Sequence, residues 1–176
     1  MKIFLIGFMG VGKTTIGKKL ATQTEYGFID SDKYIEQKSG ATVSEIFQNK
    51  GETAFRELEM SFLRSEIQSN TVVALGGGTP CYKNNMDVIN QLGISIYLKM
   101  NGAQIANRLK HAKTKRPLID QFKSDDKKLK EFISDKLKER ETFYNRAHIK
   151  VDASNFYSMK LKTLIEMIQL FEQSHS

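Results

Sequence analysis

Residues 7–15 read GFMGVGKTT, directly after the apolar run KIFLI at 2–6. Gly7 to Thr14 satisfies G-x-x-x-x-G-K-[ST] in full. The glycines let the backbone curl so that its N–H groups point inward, and a helix starting at about Lys13 adds partial positive charge. Gly10, Val11, Gly12, Lys13, Thr14 and Thr15 are therefore the expected phosphate cradle. Lys13 would bridge the β- and γ-phosphates, and the Thr14 hydroxyl would hold Mg²⁺. A chance glycine-rich turn is the alternative, and the strand before and helix after argue against it. This segment selects ATP or GTP and leaves the phosphate acceptor open.

Outward from the cradle, short apolar runs alternate with helical patterns, as in a parallel α/β sheet. Strands are expected at 2–6, 28–30, 71–75, 94–100 and 148–152. Helices are expected near 13–24, 32–38, 43–49, 52–69, 84–92, 102–111, 125–145 and 158–173. No repeat or interdomain linker interrupts them. The fold class is α/β: a single P-loop domain over 1–176, a five-stranded parallel sheet with helices on both faces, and a mobile lid at about 112–124. Ligands in such sheets gather at the carboxyl ends of the strands.

Composition narrows the setting. Of 176 residues, 40% are hydrophobic and 27% charged, which fits a folded chain and not a disordered one. The single cysteine, Cys81, cannot form an internal disulfide, so a cytoplasmic home is expected. No apolar run reaches the length of a membrane span. The formal net charge of +7 admits nucleic-acid binding or a site for two anionic ligands. The basic residues interleave with acidic ones and no base-stacking motif accompanies them, so no nucleic-acid or membrane partner is expected.

Four clusters bear on the acceptor. Asp30-Ser31-Asp32 closes the second strand at the ligand edge of the sheet. A carboxylate there can accept a hydroxyl proton or act on metal-bound water; equally, Ser31 or Asp32 can cap the helix that follows. With no Asp at the end of the third strand, Asp32 is the expected outer support of the metal. GETAFRELE at 51–59 places Arg56 beside Phe55, Leu58 and Phe62, with Glu59 within reach of its guanidinium. That is either a surface ion pair or a braced clamp for a substrate carboxylate. Gly76-Gly77-Gly78 follows the strand TVVAL, and is either a flexible loop or a floor where a ligand meets bare backbone. Arg140 shares a helical stripe with Leu129, Ile133, Leu137 and Tyr144 and needs an anionic partner, from the protein or from a ligand. Arg116, before Pro117 in a polar loop, has the setting of a lid cation.

Taken together, GFMGVGKTT, D-S-D at 30–32, GETAFRELE at 51–59, ALGGG at 74–78, RPL at 116–118 and E-R-x-x-x-Y at 139–144 resemble shikimate kinase over nearly the whole chain. The resemblance implies transfer of the γ-phosphate of MgATP to the 3-hydroxyl of shikimate, on the route to chorismate and the aromatic amino acids, by a monomer. It implies that Asp32 is the base and supports Mg²⁺ through water. It also implies that Arg56 and Arg140 bind the shikimate carboxylate, helped by the backbone of Gly77 and Gly78. Arg116 would reach the phosphates from the lid, Arg108 would stack on adenine, and Phe47 and Phe55 would line the acceptor pocket. The loop near Asn155 departs from the family in lacking a proline against the adenine. A gluconate kinase is the nearest alternative; it would share the cradle and lid but would not need two arginines on one carboxylate.

Overall fold

The structure, a computed structural model, describes residues 1–112, 119, 121–122, 124–154, 156 and 158–174. Five parallel strands form one sheet: β1 (Lys2–Ile6), β2 (Gly27–Asp30), β3 (Thr71–Ala74), β4 (Ile94–Lys99) and β5 (Ile149–Asp152), in the order β2-β3-β1-β4-β5. The helices are α1 (Lys13–Thr24), α2 (Ser31–Ser39), α3 (Val43–Leu63), α4 (Asn85–Leu92), α5 (Gly102–Lys110), α6 (Asp126–Tyr144) and α7 (Ser158–Ser174). A short 3₁₀ turn, Thr79–Cys81, was not expected.

The three central strands β1, β3 and β4 are apolar on both faces because helices cover both. Ile3, Leu5, Ile94, Ile96 and Leu98 pack toward Leu20, Ile105, Ile133 and Leu164. Phe4, Ile6, Val73 and Tyr97 alternate with them and pack toward Ile35, Phe62, Ile89 and Tyr144.

Register then assembles the ligand edge. Leu5 pairs with Ala74 and with Ile96, and Asp30 also pairs with Ala74. The strands β1, β2 and β3 therefore end side by side. The segments that leave them (the loop from Gly7, the Asp30–Asp32 turn and Gly76–Gly78) are neighbours although far apart in the chain.

Two expected helices, 43–49 and 52–69, are one kinked element. Thr42 opens α3 with a capping box: its hydroxyl accepts from Glu45 N–H at 3.2 Å, and Glu45 accepts from Thr42 N–H at 2.7 Å. At Gly51 the backbone turns to φ 79°, ψ 172°, which breaks the helical path. The element ends at Leu63, short of 69. There the N–H of Ser65 and its hydroxyl both donate to the Phe62 carbonyl, and Ile67 then folds into the core.

Candidate functional site

A cavity of about 850 Å³ lies over the carboxyl ends of β1, β2 and β3. Its nucleotide end is the Gly7–Thr14 loop. Gly12 takes φ 104°, a left-handed conformation open to glycine, and caps α1. The Lys13 ammonium folds onto the Gly7 and Phe8 carbonyls at 2.8 and 3.0 Å. Arg108, from α5, donates to the Val11 carbonyl at 3.2 Å, so it lies against the outside of the same loop. Gly10, Gly12, Lys13, Thr14, Thr15 and Arg108 all line the cavity; Val11 is buried beneath it.

The other end is built from α3, α6 and the segment after β3. Arg56 and Arg140 are each only 8% exposed, and both line the cavity. Arg56 is gripped by two carboxylates. Glu59, fully buried, accepts from Nη1 at 2.6 Å; Glu52, whose side chain is 56% exposed, accepts from Nη2 at 2.7 Å. Glu59 also accepts from the Thr79 hydroxyl, which fixes it from below. The guanidinium of Arg56 packs near the rings of Phe55 and Phe47, at 5.7 and 6.0 Å, and that of Arg140 near Phe8 at 5.3 Å. The Arg56–Glu59 pair is therefore internal and not the surface ion pair of one sequence reading.

Between the arginines runs the glycine floor. A methyl group on Gly78 would land on the Arg56 guanidinium, and one on Gly76 would strike Glu59 and, at 2.7 Å, Asp32. Bare backbone is required by close approach there, so the segment is not a slack loop. It is fastened by Gly76 N–H donating to the Ser31 hydroxyl at 2.9 Å and by the Tyr144 hydroxyl donating to the Gly77 carbonyl at 2.5 Å.

The two aspartates divide their work differently from the sequence reading. Asp30, not Ser31 or Asp32, caps α2, accepting from Lys33 N–H. Asp30 also accepts from the Thr14 hydroxyl at 2.7 Å. The carboxylate that touches the Thr14 hydroxyl is thus Asp30. The reason is register: Asp30 is the last residue of β2 and lies level with the end of β3, next to the cradle. Asp32 instead points over Gly76, with Oδ1 buried and without a hydrogen-bond partner among the described residues. Burial, then the charges of Glu59 and Asp30, raise its pKa to about 6 against the pull of Lys13. Burial also raises the pKa of Glu59, opposed by Arg56. For Arg56 burial works the other way, yet Glu59 and Glu52 leave its pKa raised.

Among the residues proposed from sequence, Arg116 and the lid segment 113–118 lie outside the described residues, as does Asn155. Several contributions in and beneath the cavity were not singled out: Asp30 as partner of Thr14, the buried Ser31 and Tyr144 as fastenings of the floor, and Met9, Glu36 and Val43 in the lining. The alternation Asp-Ser-Asp was a signal for the first two. Tyr144, read as core from its helical stripe, carried a signal in its polar tip, since a buried tyrosine hydroxyl needs a partner.

A sequence description of the shikimate kinase family matches residues 9–169. A shikimate kinase of Parabacteroides distasonis is 40% identical over 153 residues, 86% of this chain and 87% of the relative. The crystal structure of a shikimate kinase from Bacteroides thetaiotaomicron superposes with a TM-score of 0.87 at 35% identity, covering 98% of both chains. That of a shikimate kinase from Acinetobacter baumannii in complex with shikimate gives 0.82 at 32% identity, over 99% of this chain and 94% of the other. A gluconokinase from Sinorhizobium meliloti shares the fold alone, with a TM-score of 0.56 at 15% identity.

Proposed function

The chain belongs to the shikimate kinase family, and from that premise we propose how its residues divide the reaction. The chain is a phosphotransferase that moves the γ-phosphate of ATP to the 3-hydroxyl of shikimate, giving shikimate 3-phosphate and ADP. The observation that carries the residue assignment is the convergence of Arg56 and Arg140 on one cavity that also contains Lys13, with a glycine floor between them.

In this reading the cradle Gly10–Thr15 receives the phosphates, and Lys13 exchanges the carbonyls of Gly7 and Phe8 for phosphate oxygens. Arg108 packs beside the nucleotide. Arg56 and Arg140 take the shikimate carboxylate, one from α3 and one from α6, with Gly77 and Gly78 beneath. Two-sided gripping fixes the ring and turns a bimolecular encounter into a positioned one. Asp32 Oδ1, buried and without a partner, accepts the proton of the 3-hydroxyl as its oxygen attacks the γ-phosphorus. Arg116 closes from the lid and neutralises charge on the transferring group. Phe47 and Phe55 form the apolar wall and exclude water.

Hard oxygen donors stand where Mg²⁺ would sit. The Thr14 hydroxyl and the Asp30 carboxylate are 2.7 Å apart, which fits an ion held by one or two protein oxygens plus water and phosphate. When bound it would neutralise phosphate charge. The unpaired Cys81 supports a cytoplasmic setting. No helix among the described residues is long and apolar enough to cross a membrane.

The test is ADP release from the purified protein with MgATP and, separately, shikimate, gluconate and nucleoside monophosphates. Turnover is expected with shikimate alone. Gluconate-dependent turnover without a shikimate response would overturn the assignment.

A further inference from the structure

Tyr144 is fully buried at the end of α6, one helical turn beyond Arg140. Its ring packs on Tyr97 at 5.1 Å between centroids, and its hydroxyl donates to the Gly77 carbonyl at 2.5 Å. That carbonyl belongs to the peptide joining Gly77 to Gly78. In a planar trans peptide the C=O and the N–H point in opposite directions. A hydroxyl that draws the Gly77 oxygen toward the core therefore turns the Gly78 N–H the other way. Among the described residues no protein group accepts from the N–H of Gly77 or of Gly78, whereas Gly76 N–H is taken by Ser31 and Thr79 N–H by the Gly76 carbonyl. Both glycines line the cavity, Gly78 against the Arg56 guanidinium and Gly77 against Arg140.

Without a tether, a peptide flanked by glycines on both sides can rotate at little cost, since neither residue has a side chain to limit it. We infer that Tyr144 is a positioning residue for acceptor binding: its hydroxyl locks the Gly77–Gly78 peptide with the Gly78 N–H presented to the acceptor carboxylate, between the two arginines. The inference rests on the carboxylate assignment above. Tyr144 also ties the floor to the helix that carries Arg140, so one hydroxyl sets the spacing of two of the carboxylate's partners. Burial raises the phenol pKa, so the hydroxyl remains a donor throughout the working pH range.

Tyr144→Phe keeps the ring and removes the tether. The expected result is a KM for shikimate raised about ten-fold, the scale of one hydrogen bond to a charged group lost from the complex. KM for ATP should be unchanged and kcat held within about two-fold. The methyl ester of shikimate, which lacks the full negative charge, should lose less than the acid. A lower Tm with unchanged shikimate KM, or equal losses for acid and ester, overturns the inference. A second measurement needs no variant. In ¹⁵N-labelled wild-type protein the Gly78 amide resonance should move downfield and become protected from exchange on adding shikimate; an unmoved Gly78 amide overturns the inference. If wild-type protein shows no shikimate turnover, the carboxylate assignment itself fails, an outcome seen before any variant is made.

Discussion

Asp32 Oδ1 is buried with no hydrogen-bond partner among the described residues, and its pKa rises from 3.8 to about 6 for reasons of burial first and neighbouring carboxylates second. A carboxyl raised in this way binds a proton in the folded state that the unfolded chain has already released. Stability associated with it is therefore present at low pH and is lost as pH rises through about 6. Asp32→Asn should raise Tm at pH 7.5, by a few degrees for a change of about 1–2 kcal/mol, and change it little at pH 4. The same substitution should lower kcat by about 10²-fold or more. With Asp32 in its proposed role as base, kcat/KM should fall below about pH 6 as it is protonated. An Asn variant no more stable than wild type at pH 7.5 would remove the argument. At the arginines, Arg56→Ala and Arg140→Ala should each weaken shikimate by about 2–5 kcal/mol and leave KM for ATP nearly unchanged. Only the first strands the fully buried Glu59 without its cation, so Arg56→Ala should also lower Tm more than Arg140→Ala. Thermal melts of the two variants side by side check that ordering.

The elements hold these side chains by their spacing. Helix α1 begins at the phosphate cradle and crosses the sheet so closely that a methyl group at Gly17 would lie 2.6 Å from the Phe28 ring and 3.1 Å from Leu5. Alanine is the better helix former by about 1 kcal/mol, yet overpacking costs about 1–3 kcal/mol, so Gly17→Ala should destabilise. Because α1 carries Lys13 and Thr14, the displaced helix should raise KM for ATP more than KM for shikimate. A stabilised variant in denaturant titration would show that α1 can lift from the sheet without cost. The kink at Gly51 has a comparable role in α3. It divides the helix into a first part bearing Phe47 and a second bearing Glu52, Arg56 and Glu59, so one element supplies both the apolar wall and the braced arginine. Periodicity located both halves but extended the second to 69, because the residues after Leu63 remain compatible with a helix and only the Ser65 turn and the burial of Ile67 stop it.

For the whole molecule, the function depends on bringing two anions together inside one cavity. Lys13, Lys33, Arg56, Arg108 and Arg140 line it together with Asp30, Asp32, Glu36 and Glu59, so cations are placed at particular points of a mixed lining. Arg116 belongs at this scale, because the role proposed for it is that of a lid cation that would act on both ligands at once. Arg116→Ala should lower kcat by about 10³-fold or more with modest changes in either KM, the behaviour of a cation that acts mainly in the transition state. Unchanged kcat at saturating substrates would remove Arg116 from the chemistry.

The cradle, the α/β alternation and the parallel sheet were legible in the sequence, because each depends on neighbours in the chain: a glycine pattern between a strand and a helix, or a hydrophobic period along one element. The glycine floor and the two anomalous arginines were also visible as violations of local rules, side-chain-free residues after a core strand and a charge on an apolar stripe. Glu59 as the partner of Arg56 was legible too, from its spacing three residues on; the partners that depend on other elements were not. Asp30 rather than Asp32 beside Thr14, Glu59 fixed by Thr79, and Tyr144 turned onto Gly77 are choices among groups with equal local claims. Strand register and helix packing made them, because hydrogen bonds and ion pairs depend on ångström distances between segments that the linear chain leaves undetermined.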